Sequence, residues 1–170
     1  MDTLNRNELF LSVIEQHKGL IYKIANSFKK DDDDKKDLIQ EIILQLWRSF
    51  ESYDARSKIS TWMYRVALNV AIDSYRKEKK KNEHIQPLPD NIIAFSDAGD
   101  DDDQTNVQLN LLQQFISELK ELDRALMLLY LEEKSGKEIA EILGLSETNI
   151  RTKINRIKEQ LKQRFSKIKA

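Results

Sequence analysis

The stretch that decides the fold is GKEIAEILGLSETNIRTKINRIKEQL, residues 136–161, where a glycine separates two apolar patterns of helical period. The first pattern predicts a short amphipathic helix over residues 137–143. Gly144 stands where a tight turn between helices requires positive φ, and Ser146 is a suitable N-cap for the second helix. This order of elements predicts a helix-turn-helix.

The second helix has one apolar side and one polar side. The apolar stripe is formed by Ile150, Ile154, Ile157, Leu161 and Phe165. The other side carries donors suited to base edges and phosphates: Thr148, Asn149, Arg151, Thr152, Lys153, Asn155 and Arg156. Residues 146–170 hold eight basic and two acidic residues, which a plain helical hairpin does not need. We therefore predict that this helix reads duplex DNA.

The composition indicates a helical protein with small cores. Hydrophobic residues make up 40% of the 170 residues and charged residues 34%. Four glycines and two prolines are too few for the turns of a β-sandwich. The absence of cysteine excludes disulfides and thiolate metal sites. No apolar run approaches a membrane span and no signal peptide is visible, so we expect a cytoplasmic protein.

Charge is strongly segregated along the chain although the formal net charge is only −1. Residues 55–81 and 134–170 each carry +6, whereas residues 82–103 carry −7. Two basic patches separated by an acidic stretch favour two contacts with one polyanion. The alternative is chance clustering of charges on helix surfaces.

The pattern along the chain predicts an all-α fold of two small helical domains. Helical apolar periods cover residues 8–28 and 35–50, with Asp34 as a suitable N-cap for the second. Gly19 interrupts the first period and marks a kink or a close helix crossing. A third helix begins near Ser60 or Thr61 and ends in a run of lysines.

Residues 82–106 are acidic, contain both prolines and show no sustained period, which predicts a flexible linker. A surface loop within one domain is the alternative. After it, we predict a helix over residues 107–122, and a helix with apolar residues on all sides over residues 125–131. The expected organisation is therefore a domain over residues 1–81, the linker, and a helix-turn-helix domain over residues 107–170.

The helix ISTWMYRVALNVAIDSYRKEKKK, residues 59–81, has a surface suited to unpaired bases. Arg65, Asn69, Asp73 and Arg76 share one face, and the aromatic residues Trp62 and Tyr64 flank its start. Aromatic rings beside such polar groups can stack and hydrogen-bond bases, while the following lysines contact phosphates. The alternative places both aromatic rings in the core.

Three motifs in order resemble the sigma factors of bacterial RNA polymerase. They are DLIQEIILQLW at residues 37–47, STWMYRVALN at residues 60–69 and EIAEILGLSETNIRTKINRIK at residues 138–158. The chain is similar to the extracytoplasmic-function (ECF) type, which has two domains. The resemblance covers both predicted domains, nearly the whole chain except the linker.

The resemblance implies a transcription initiation factor that binds core RNA polymerase and directs it to promoters. The polymerase-binding face would be Asp37, Gln40, Glu41, Leu44, Gln45 and Arg48. Residues implied to recognise and open the −10 element are Ser57, Lys58, Ile59, Ser60, Trp62, Tyr64, Arg65, Asn69, Asp73, Arg76 and Lys77. The polar face of the helix-turn-helix, listed above, would read the duplex −35 element. An anti-sigma factor is a further partner known in the family, and nothing in the sequence identifies one.

The chain departs from the family pattern at three places. The loop before the basic helix has Ile59 where the family often has an aromatic residue. The usual Leu-Pro before the helix-turn-helix is Leu122-Asp123, and the usual Arg-Ala-Arg is Arg156-Ile157-Lys158. These departures leave the promoter preference open.

Two other classes of function fit the sequence less well. An enzyme is disfavoured because His17 and His84 lie in different segments and no phosphate-binding or nucleophile motif is present. The acidic runs at residues 31–34 and 100–103 lack the spacing of a calcium loop. We expect no catalytic site, cofactor or metal. A self-sufficient repressor would use the helix-turn-helix alone and would leave the first domain without a role.

Overall fold

A computed structural model describes residues 3–82 and 103–169, and every regular element in these two ranges is helical. The helices are α1 (Thr3–Phe28), α2 (Asp32–Ser49), α3 (Ile59–Asn82), α4 (Asp103–Glu118), α5 (Glu121–Leu131), α6 (Gly136–Leu143) and α7 (Glu147–Lys169), with a 3-10 turn at Phe50–Ser52. The predicted all-α fold is confirmed. Most of the predicted linker lies outside the described residues, and α4 begins at Asp103, inside its predicted range.

Helices α1, α2 and α3 pack against one another and enclose the first part of the core. The predicted apolar stripes point inward, since Ile24, Ile42 and Met63 are fully buried. Burying such side chains is worth about 1.5–3 kcal/mol each and holds the three helices together.

The start of α2 and the position of the kink in α1 differ from the sequence predictions. The prediction of Asp34 as the N-cap is wrong, because α2 already begins at Asp32. Asp34 stands in the first turn, where its negative charge interacts favourably with the helix dipole. The backbone of α1 departs from helical geometry at His17, with φ −119° and ψ 17°, and not at Gly19. A Cβ on Gly19 would meet nothing within 4 Å, so no helix crosses closely there.

The predicted single helix over residues 107–122 is two helices, because the chain turns between α4 and α5. The Arg124 guanidinium of α5 stabilises the break, since it donates to the carbonyl of Ser117 in the last turn of α4 and to that of Leu119 just after the helix. These bonds satisfy carbonyls that the end of a helix leaves free. Residues 125–129 of α5 are buried as predicted, whereas Leu131 at the end of this helix is half exposed.

The helix-turn-helix is formed by α6 and α7 as the sequence predicts. Gly144 adopts φ 71° at the end of α6. The Ser146 hydroxyl accepts a 3.1 Å hydrogen bond from the Asn149 N–H at the start of α7. Ile150, Ile154 and Ile157 are buried against the preceding helices.

The two helical parts of the chain are packed together. Helix α3 contacts both α5 and α6, and α1 contacts α5. The buried apolar side chains of α1–α3 and of α4–α7 form one cluster. The basic face of α3 is therefore brought against the helix-turn-helix domain.

Candidate polymerase and nucleic-acid interfaces

The predicted polymerase-binding residues share the solvent side of α2. All six are exposed, while Leu38, Ile42 and Leu46 on the opposite side are buried. The alternation follows from the 3.6-residue period of α2. The exposed set is Asp37, Gln40, Glu41, Leu44, Gln45 and Arg48.

An apolar groove lies between this face and the first half of α1. Its volume is about 490 Å³, and it is lined by Asn7, Phe10, Leu11, Gln40, Ile43, Leu44 and Trp47. Leu11 is 66% exposed and Leu44 is 46% exposed, so both present apolar surface to solvent at its rim. The sequence interpretation missed the α1 side. The available signal was Leu11 itself, an apolar residue off the buried stripe of its helix.

The predicted −10 residues gather on one side of α3 and in the loop before it. Asn69, Asp73, Arg76 and Lys77 are exposed, and Arg65 is half-buried. Ser57 in the loop and Ser60 in the first turn of α3 are half-buried, Lys58 in the loop is exposed, and Ile59 at the start of α3 packs against the core.

A cavity of about 470 Å³ opens beside this side of α3. Trp62, Arg65 and Asn69 line it from α3, and Ser57 lines it from the loop. The Tyr53 hydroxyl donates a 2.6 Å hydrogen bond to the Ser57 carbonyl, which holds the loop in place. This α3 cavity therefore combines an aromatic side chain with hydrogen-bonding groups, which are both suited to contact with an unpaired base.

The two aromatic residues of α3 are mostly buried. The Trp62 side chain is 8% exposed and packs against Tyr53, with ring centroids 5.3 Å apart. Tyr64 is 4% exposed, and burial, with a further contribution from Glu132, raises its pKa to about 12. Only Trp62 reaches the α3 cavity. A stacking role for both rings stays a prediction.

The predicted −35 residues form the outer face of α7. Six of the seven are exposed, and Lys153 is half-buried. The half-buried Asp123 carboxylate in the first turn of α5 lies 4.0 Å from the Lys153 ammonium and 3.6 Å from the Arg156 guanidinium. Sequence reasoning identified Asp123 only as a departure from the family, because its contact with α7 depends on how α5 packs.

Two predicted −10 residues also contact the helix-turn-helix domain. The Arg65 guanidinium donates a 3.0 Å hydrogen bond to the Glu141 carbonyl of α6. The Arg76 guanidinium lies 2.9 Å from the Glu121 carboxylate of α5 and is the main cause of the lowered pKa of Glu121. The same surface of α3 thus carries groups for a nucleic acid and contacts to the other domain.

Across residues 3–82 and 103–169, no cluster of three or more histidines, aspartates and glutamates could hold a metal ion. Over the same ranges no helix has the length and apolar character that crossing a membrane would demand.

Two protein families match the chain in the order of the two helical parts. Sigma-70 region 2 matches residues 13–81, and sigma-70 region 4 matches residues 109–161. The first match covers α2 and α3 up to residue 81, and the second covers α5, α6 and α7 up to residue 161.

Relatives of similar length share this organisation. The ECF RNA polymerase sigma factor SigM of Bacillus subtilis is 30% identical over 158 residues, covering 91% of this chain and 94% of SigM. The RNA polymerase sigma factor SigV of the same organism is 29% identical, covering 94% of this chain and 92% of SigV.

Solved structures of the same fold include two complexes. CnrH bound to the cytosolic domain of CnrY aligns with a TM-score of 0.67 at 19% identity, covering 94% of this chain and 89% of CnrH. The Bartonella quintana sigma factor RpoE, solved with the anti-sigma factor NepR, aligns with a TM-score of 0.64 at 19% identity, covering 94% of this chain and 95% of that chain.

The family matches cover both helical parts of the chain, and the relatives match it almost from end to end. Sigma factors are transcription factors and do not form an enzyme class. The chain is an ECF-type sigma factor, a transcription initiation factor that directs RNA polymerase to promoters.

Proposed function

We propose that three surfaces of this sigma factor divide the work of initiation: α2 with α1 binds core polymerase, α3 captures the −10 strand, and α7 reads the −35 duplex. The single observation that carries this division is that the three residue sets lie in three different places: on α2, on α3 with the loop before it, and on α7, each with a polar side exposed. In this proposal the domain of residues 1–81 binds polymerase and opens DNA, residues 82–106 form the linker, and the domain of residues 107–170 binds the −35 element.

The polymerase surface combines charge with apolar contact. Asp37 and Glu41 supply acidic groups on α2. Leu44 on α2 and Leu11 on the neighbouring helix α1 supply the apolar rim of the groove. A helix of the polymerase with basic and apolar residues would match such a groove, because interface cores favour apolar anchors with a polar rim.

The −10 surface acts on DNA that has already begun to open. Unstacking a base step costs a few kcal/mol, and a protein that binds the exposed base offsets part of that cost. The α3 cavity offers Trp62 for apolar contact with a base, and Asn69 and Arg65 for hydrogen bonds. Lys77 and the lysines that follow are placed to contact phosphates.

The −35 surface reads duplex DNA through the first half of α7. Its exposed side carries amides, hydroxyls and two arginines, the groups that recognise base edges in the major groove. Affinity is expected to depend strongly on salt, since the cations on this helix displace counterions from phosphates.

Three further properties belong to the same proposal. The protein has no catalytic activity of its own, it acts in the cytoplasm where polymerase works, and an anti-sigma protein regulates it. The last point is supported by RpoE, whose structure was solved with the anti-sigma factor NepR. Nucleotide hydrolysis by the pure protein would contradict the first point.

In vitro transcription with core polymerase over a promoter library tests the proposal. We expect initiation at a defined set of sites, and a stable complex in pull-downs with core polymerase. Reversing the charges of Asp37 and Glu41 together should weaken that complex, with Glu15 on the surface of α1 as a charge-reversal control. Failure to initiate at any promoter would overturn the proposed function.

A further inference from the structure

The guanidinium of Arg6, near the start of α1, is held against the end of α2. Its Nη2 donates a 3.4 Å hydrogen bond to the Trp47 carbonyl in the last turn of α2. Its Nη1 lies 2.6 Å from the Glu51 carboxylate in the 3-10 turn that follows. The C-terminal end of a helix carries partial negative charge, so a cation is favourable there. Arg6 therefore ties the start of α1 to the end of α2.

The same guanidinium lies over the Trp47 ring, with its Cζ atom 4.5 Å from the ring centroid. Phe10, also on α1, packs edge-on against this ring, with ring centroids 5.0 Å apart. A cation over an aromatic face is attractive, and tryptophan is the best partner. Two side chains of α1 therefore fix the position of a ring that belongs to α2.

These contacts of Arg6 contribute little to stability. Its side chain is only 23% exposed, and its Nε finds no hydrogen-bond acceptor in the described part of the chain. A buried donor without an acceptor is unfavourable. Glu51 is 72% exposed, and an ion pair with so exposed a partner is weak. This balance favours a role for Arg6 in orienting Trp47 over a role in stability alone.

Trp47 lines the apolar groove between α1 and α2, whose rim is formed by Leu11 and Leu44. Arg6 does not line this α1–α2 groove, so it acts on the groove only through Trp47. A rotation of so large a ring would change the shape of the groove. An aromatic anchor that is already held in its bound orientation loses less freedom when a partner binds.

We propose that Arg6 is a positioning residue for polymerase binding: it holds the Trp47 ring in the orientation that shapes the α1–α2 groove. This inference rests on the proposed function of that groove. The partner it fits is an apolar side chain of the polymerase that packs against the fixed ring. Arg6 contributes to affinity without touching the polymerase itself.

A double-mutant cycle in the full chain tests whether Arg6 acts through Trp47. Arg6→Met keeps an unbranched apolar stem but removes the cation and its hydrogen-bond donors. It should weaken binding to core polymerase about three- to tenfold. Added to Trp47→Leu, the same substitution should have no further effect, because the ring that Arg6 positions is gone. An equal loss of affinity in both backgrounds would overturn the inference.

A conservative variant and a matched control complete the binding assay. Arg6→Lys keeps a cation but lacks the planar fork that reaches the Trp47 carbonyl and Glu51 together, so its affinity should fall between those of Arg6→Met and the original chain. Lys18→Met is the control, because Lys18 forms a 2.8 Å ion pair with Glu15 on α1 and does not line the groove. An equal loss in Lys18→Met would contradict a specific role for Arg6. Thermal unfolding checks the fold, and Arg6→Lys replaces Arg6→Met in the cycle if the latter does not fold.

Tryptophan fluorescence measures the orientation of the ring without polymerase. The chain has two tryptophans, so Trp62→Phe leaves Trp47 as the single reporter. In this background Arg6→Met should increase quenching of Trp47 by acrylamide while the helical circular dichroism stays unchanged. Unchanged quenching would show that Arg6 does not hold the ring, and would overturn the inference.

Leu44→Asp in the same binding assay separates this inference from the proposed function. If Leu44→Asp weakens polymerase binding but Arg6→Met does not, the inference is wrong and the proposed groove stands. If neither substitution weakens binding but Arg6→Met increases quenching of Trp47, Arg6 orients the ring and the groove is not a polymerase site.

Discussion

The Arg65 guanidinium on α3 donates a hydrogen bond of 3.0 Å to the Glu141 carbonyl on α6. Arg65 belongs to the surface proposed to capture the −10 strand, and Glu141 belongs to the helix-turn-helix domain. This hydrogen bond therefore joins two parts of the sigma factor that we propose both bind DNA. The free protein and the promoter-bound protein must differ at this contact if Arg65 binds DNA.

Leu11 and Leu44 are expected to contribute to polymerase binding. Leu11→Asp or Leu44→Asp should weaken the complex with core polymerase about tenfold, because a carboxylate would be buried in an apolar contact. Binding of fluorescent sigma factor to core enzyme provides the measurement. Leu9→Asp is the matched control, since Leu9 is exposed on α1 but does not line the groove. Equal effects of all three substitutions would contradict the assignment of the groove.

Asn69 is expected to act in promoter opening. Asn69→Ala should leave the closed complex intact and slow opening about tenfold, through the loss of one hydrogen bond to a captured base. Permanganate reactivity of unpaired thymines reports the opening directly. Asn26→Ala, an exposed amide on α1, should behave like the original protein. Normal thymine reactivity in the Asn69 variant would remove this residue from the −10 surface.

Asp123 is expected to set the salt dependence of −35 binding. Its carboxylate lies near both Lys153 and Arg156, so it competes with DNA phosphates for these cations. Asp123→Asn should tighten duplex binding and steepen the plot of log affinity against log salt by about one unit. Fluorescence anisotropy across a salt series measures the slope. Glu159→Gln removes an equal charge from an exposed turn of α7, and an identical effect there would argue against a specific role for Asp123.

Tyr64 is expected to ionise at a higher pH than an ordinary tyrosine. Its pKa is raised to about 12, so burial favours the neutral phenol and its stabilising contribution is complete below pH of about 10. That contribution is lost as the pH rises from about 10 to 12, because the unfolded chain ionises first. The difference in absorbance at alkaline pH between the protein and Tyr64→Phe isolates this titration. In Glu132→Gln, the midpoint should move toward the ordinary value of tyrosine, because the Glu132 carboxylate contributes to the raised pKa of Tyr64; an unmoved midpoint would show that burial alone raises it.

Gly144 and Gly19 are expected to respond to alanine in opposite directions. Gly144→Ala should destabilise the protein by about 1–2 kcal/mol, since φ 71° is unfavourable for a residue with a Cβ. Gly19→Ala should stabilise it by about 0.5–1 kcal/mol, because Gly19 is helical and a Cβ there meets open space. Urea denaturation measures both. A loss of stability at Gly19 would indicate that the kink at His17 depends on the glycine.

Much of the helix-turn-helix could be read from local residue types. The positive φ at the end of α6 favours Gly144, and the free N–H of Asn149 at the start of α7 is satisfied by the Ser146 hydroxyl. Both requirements involve residues that are close together in the sequence. The boundary between α4 and α5 could not be read in this way. It is stabilised by Arg124, whose bonds to the carbonyls at the end of α4 form only when the two helices pack.

The binding residues show the same division. The exposed face of α2 follows from helical period, and all six predicted residues lie on it. The α1 side of the groove and the contact of Asp123 with α7 join residues far apart in the chain. The apolar period of one helix does not indicate which other helix will pack against it.

By itself the sequence determined the all-α class, the family and the faces of the helices, because periodicity, caps and motifs are local properties of the chain. Only the tertiary structure decided that α5 and α6 pack against α3, with Arg124 against the rings of Phe28 and Tyr75. That arrangement is the balance of many weak contacts between distant residues. Each is small alone, and none leaves a period or a motif in the sequence.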